Sequence, residues 1–149
     1  MESLNTVQTV GQAIEAAVAP VFLIVGIAGL LNMLSGRLGR VIDRTRVVRA
    51  ELEQSEDRSE RDRLHVEMVL LRRRIRLANW SIRACVSCAF VVCVLVVALF
   101  VNDFVAADLG VLVAALFVVA MLLIIAGLGL LLLEVGLASR QASRALGEG

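Results

Sequence analysis

Three long runs without a charged side chain, residues 16–36, 84–101 and 111–133, constrain this chain more than any other feature, and 13 of its 15 basic residues lie between the first two. Each run is about long enough to cross a hydrocarbon core of ~30 Å as a helix, and in hydrocarbon only helices and closed barrels satisfy their own backbones. The chain therefore reads as an all-α membrane protein with three transmembrane helices. The 59% share of hydrophobic residues in 149 argues the same way, since a soluble domain of this length could not bury so much.

The formal net charge of +1 hides a strong segregation. Residues 37–83 hold 13 Arg against 8 Asp and Glu, whereas residues 102–110 hold Asp103 and Asp108 and no base. The positive-inside rule then places residues 37–83 in the cytoplasm and the 102–110 turn outside. Arg140 and Arg144 put the 134–149 tail inside, and residues 1–15, with Glu2 and no basic side chain, fall outside. No cleavable leader is expected, because no basic region precedes the first run. Cys85, Cys88 and Cys93 all lie in the second run, so no extracytoplasmic disulfide is expected.

The Arg-rich segment is patterned as well as charged. Leu34, Leu38, Val41, Thr45, Val48 and Leu52 recur at alternating steps of four and three, as do Leu64, Met68, Leu71, Ile75, Ala78, Ile82 and Cys85. These are heptad seams continuous with the spans, so residues 37–83 are predicted to form an antiparallel, coiled-coil-like helical hairpin. Asp57 and Glu60, in capping-box spacing, mark the turn and the start of the returning helix. Ile42, Val47, Val66, Val69, Leu70 and Leu77 fall off the seam and either pack within the hairpin and on the third helix or mediate self-association. At the other end, Leu4, Val7, Gly11 and Ile14 have helical spacing before Pro20. They predict a short interfacial helix followed by a turn, with Pro20 opening the first span; the alternative is a single helix kinked at Pro20.

Several residues stand out. Ser81, Cys85, Ala89 and Cys93 fall four apart as a small-residue ridge suited to helix packing in lipid. Cys85 and Cys88 lack the further ligands a metal would need, and no metal or cofactor is expected. Arg37, Arg40, Arg44 and Arg46 on the outgoing arm, with Arg72, Arg73, Arg74, Arg76 and Arg83 on the return, form a collar, of which Arg37, Arg40, Arg44, Arg72, Arg73 and Arg76 are the expected contacts to anionic lipid or a partner protein. Nucleic acid is not expected, because acidic residues are interspersed and no recognition motif is present.

Among polar residues in or near the spans (Glu15, Asn32, Ser35, Ser87 and Glu134), Asn32 is the deepest, while Glu134 ends the third span where Arg37 or Arg40 could neutralise it. Asp43 is expected to pair within its own helix. No nucleophile, base and oxyanion donor fall together, so no enzyme is expected. Residues 111–133 hold no ionisable group, and a transport pathway would require a pore between subunits, lined by Asn32, Ser35 and a ring of Arg or by Ser87.

The runs from Ala19 to Ile24, from Ser35 to Arg46, from Arg72 to Asn79 and from Leu133 to Ala138 resemble a bacterial three-span membrane family of unknown function, a numbered domain of unknown function. The Arg-Leu-Gly-Arg-Val-Ile-Asp-Arg stretch from Arg37 to Arg44 is the most specific part. The resemblance implies a bacterial inner membrane and the same architecture, and it carries over no site. The expected function is a homo-oligomeric or partner-binding membrane module, the alternative an oligomeric ion channel.

Overall fold

A backbone with no water to bond must bond itself, and this one does so in three helices. The computed structural model describes residues 2–104 and 109–146, which form α1 (Glu2–Gln54), α2 (Arg58–Phe104) and α3 (Gly110–Leu146). All three are long and apolar enough to cross a membrane, so the chain reads as a multi-pass membrane protein. At the usual rise, the 53 residues of α1 run about 80 Å along the helix, well beyond what one crossing needs.

Two expectations at the ends change. Pro20 lies inside α1, so residues before it continue the same helix and form no separate interfacial piece. Proline removes one intrahelical donor, a loss that membrane helices tolerate when neighbouring groups satisfy the freed carbonyl. Likewise α3 continues past residue 133 to Leu146, so the 134–149 segment begins as helix. The 102–110 turn lies partly outside the described residues, as do the side chains of Arg140 and Arg144.

The turn between α1 and α2 is residues 55–57, and its chemistry is local. Asp57 is the N-cap: its carboxylate accepts the Ser59 N–H at 3.2 Å and the Ser59 hydroxyl at 2.8 Å, and its carbonyl accepts the Arg61 N–H at 3.0 Å. Glu60 does not complete the reciprocal box. Its carboxylate accepts the Ser55 hydroxyl at 2.9 Å, which ties the turn to the first coil of α2.

The chain divides into two compact units, one of residues 1–31 and 84–125 and the other of residues 32–83 and 126–149. In the first, Ile27, Cys85, Cys88, Val92, Leu95 and Ala120 are buried, while Phe22, Val25, Phe90 and Val111 stand exposed. Large apolar side chains turned outward suit lipid, which is as apolar as they are. In the second, Val41, Val48, Leu64, Met68 and Leu71 form one apolar cluster with Leu52 and Ile75 against it. There α1 and α2 are also joined by Arg44, whose Nε donates to Glu67 at 2.8 Å.

Burial follows one period throughout. On α1 the buried positions Pro20, Ile27, Leu34, Val41 and Val48 are seven apart, and on α2 so are Leu64, Leu71, Ala78, Cys85 and Val92. On α3 they are Ala120, Gly127 and Glu134. A seven-residue repeat keeps one stripe of each helix in contact with a neighbour over many turns.

Candidate functional site

The third occupant of the α3 stripe is a carboxylate, which needs positive partners. Glu134 follows 25 uncharged residues and is only 2% exposed. Its Oε2 accepts Arg37 Nη2 at 2.7 Å, and its Oε1 accepts Arg74 Nε at 3.1 Å and Nη2 at 3.0 Å. Charge-assisted bonds on both oxygens are what make a carboxylate tolerable at that depth. One carboxylate cannot neutralise two guanidiniums, however, and the triad keeps a positive charge.

That charge borders an open cleft of about 290 Å³ lined by Arg37, Arg40, Val41 and Arg74. Arg40 adds a third guanidinium and has no hydrogen bond or ion pair with another described residue. Its Nη1 would lie 4.0 Å from a Cβ at Gly36, an ordinary contact distance.

Of the two arginines expected near Glu134, Arg37 bonds it and Arg40 lines the cleft beside it. Arg74, itself a collar arginine, is the second partner of Glu134, a role the sequence reading gave by name only to Arg37 or Arg40. Its signal was positional: Arg74 lies seven residues before the buried Ser81 and so falls on a buried stripe of α2.

The same stripe carries two further polar contacts. Ser81 Oγ donates to the Gly127 carbonyl at 2.7 Å, and Cys88 Sγ donates to the Ala120 carbonyl at 3.1 Å. From Arg74 to Ser81 to Cys88 the α2 position rises by seven while its α3 partner falls by seven, from Glu134 to Gly127 to Ala120. On the small-residue ridge, Ser81 and Cys85 are buried, Ala89 is half-buried and Cys93 is exposed. Steps of four alone rotate off a face by roughly 40° each, whereas alternating threes and fours stay on it, which brings Cys88 inward.

The collar arginines have different surroundings. Arg44 is engaged by Glu67 and, at 3.8 Å, by Glu51; its pKa is raised, chiefly by the hydrogen bond to Glu67. Arg72, Arg73 and Arg76 are exposed, and Arg72 and Arg76 border a shallow cleft with Val69 and Ile75. Asp43 pairs with Arg46 at 3.7 Å. Arg83 lies 5.3 Å from the centre of the exposed Trp80 ring, just before the apolar run begins. Asn32, Ser35 and Ser87 are exposed.

The family described as a protein of unknown function, DUF2721, matches residues 17–144. Among curated proteins and among solved structures, none matches the chain.

Proposed function

We propose that this chain, which belongs to the DUF2721 family, is a non-enzymatic, homo-oligomeric or partner-binding module of the bacterial inner membrane. Its N-terminus lies outside and its C-terminus in the cytoplasm, where α1 and α2 project as a coiled-coil-like hairpin with an arginine collar against anionic headgroups. The observation carrying this reading is a change of surface along α2. Residues 84–101 expose Val86, Phe90, Val94 and Val97 and no charge, whereas Arg72, Arg73 and Arg76 are exposed on the other side of Trp80. An exposed tryptophan stacked with arginine at such a border fits the headgroup level, where polybasic segments gain about 1 kcal/mol per basic residue from anionic lipid.

Self-association draws support from Asn32. It is exposed, lies in an apolar run and has no hydrogen-bond partner among the described residues. Asparagine in that setting gains by bonding across helices, and a second copy supplies an acceptor.

Native mass spectrometry of the full chain in mixed phosphatidylglycerol and phosphatidylcholine nanodiscs tests both parts. The expected result is more than one subunit per particle, reduced by Asn32→Leu, and anionic lipid enrichment that falls when Arg72, Arg73 and Arg76 become Gln. Monomeric particles would remove the oligomer, and lipid composition equal to that of the surrounding bilayer would remove the collar.

A further inference from the structure

We infer that the cleft bordered by Arg37, Arg40, Val41 and Arg74 is a binding site for a phosphate-class oxyanion of charge near −2. The bordering groups set that charge: three guanidiniums against the carboxylate of Glu134 leave +2 on the cleft wall. The donors are mostly unspent. Each guanidinium has five N–H groups. Arg74 commits two of them to Glu134 and Arg37 one, while Arg40 commits none to a described residue.

Glu134 makes this a prepared site. It is itself almost fully buried, and its two oxygens hold Arg37 and Arg74 from different helices in fixed positions. Two of the three cations therefore lose little freedom when a ligand arrives, and planar guanidiniums match the tetrahedral face of a phosphate. The space, about 290 Å³, is several times the ~30 Å³ that one water occupies in liquid, which suits a phosphate with part of its hydration. Two other arginines of α1 are spent otherwise: Arg44 is bonded to Glu67, and Arg49 pairs with Glu53 in its own helix.

The phosphate could belong to a lipid headgroup or be free in solution. The lipid source rests on the headgroup-level placement proposed above; the free source does not. The full chain in phosphatidylcholine nanodiscs separates them. One arm titrates radiolabelled inorganic phosphate by equilibrium dialysis; the other measures retained phosphatidic acid by native mass spectrometry in nanodiscs doped with it.

The expected result is saturation at one ligand per subunit in at least one arm. Arg40→Gln weakens that binding about ten- to a hundredfold, the effect of one charge-assisted contact. Arg40 is outside the Glu134 triad, so this variant keeps the fold. Arg61→Gln, which removes the same charge from an exposed position near the start of α2, outside both cleft and collar, weakens it no more than about twofold. Non-saturating binding in both arms, or equal losses in the two variants, overturns the site. Equal losses with anionic lipid still enriched leave the collar standing without the site. Saturable phosphate binding without lipid enrichment leaves the site standing without the collar.

Discussion

The two units share a seven-residue repeat of buried positions and differ in what fills it. Residues 32–83 and 126–149 bury Val41, Val48, Leu64, Met68 and Leu71 and also a Glu134 held by two arginines; residues 1–31 and 84–125 bury no charge among the described residues and mix Ile27, Val92 and Leu95 with the smaller Cys85, Cys88 and Ala120. The difference follows the solvent that each composition suits. Where water is outside, burying large apolar groups stabilises, by roughly 25 cal/mol per Å². Where lipid is outside, that driving force is absent, and close approach of small residues with shared hydrogen bonds takes its place.

Replacement of the buried acid is the strongest test of the first half of that contrast. Glu134→Ala leaves two partly buried guanidiniums unpaired and is expected to cost about 3–5 kcal/mol, read from reversible unfolding in mixed micelles. A loss under about 1 kcal/mol would mean that the triad is solvated and contributes little. Next, Val48→Ala and Val92→Ala remove the same methyl groups from sites 0% and 1% exposed. At Val48 the expected loss is about 1.5–3 kcal/mol; at Val92 it is at most half that, because unfolding within lipid gives the side chain an equally apolar surrounding. Equal losses in the same unfolding assay would break the comparison.

How far these features were legible from the residues depended on whether a local rule governed them. The spans, the seams and Asp57 as the start of α2 all follow from patterns within one helix. The Arg74–Glu134 bond does not, because its register is set by which α3 residue faces α2. That register became readable only with Ser81 and Cys88, whose carbonyl acceptors on α3 step backwards in sevens. The continuity of α1 through Pro20 was open for a related reason. Proline predicts a break wherever a backbone group is left unbonded, and the sequence alone does not say whether a neighbour takes it up.

Smaller effects sharpen the comparison. Ser81→Ala removes a buried hydroxyl donor to Gly127 and is expected to cost about 0.6 kcal/mol, and no more than about 1.7, in a steric-trap measurement in bicelles. A larger loss would assign this contact a strength that neutral bonds between membrane helices have not reached.

The smallest effect belongs to the turn. The Ser59 hydroxyl and N–H hold the Asp57 carboxyl below its ordinary value of 3.8. A depressed pKa means that the cap's contribution is complete above that ordinary value and is lost as pH falls through the lower, folded one. Hydrogen exchange at the Ser59 and Arg61 amides should therefore accelerate only below about pH 3.8, after correction for intrinsic rates, and Asp57→Ala should abolish that pH dependence. Acceleration already at neutral pH in the unmodified chain would remove Asp57 as a cap.

The common period also makes helix length a quantity with a unit. Deleting one residue from α2 turns everything beyond it by roughly 100° and takes its buried stripe out of register, but deleting seven returns nearly the same face to the same neighbour. A descendant of this chain could lengthen or shorten the arms between turn and membrane in whole heptads and keep its packing. The reach of the turn is thus free to evolve in steps of about 10 Å, while every intermediate length is penalised.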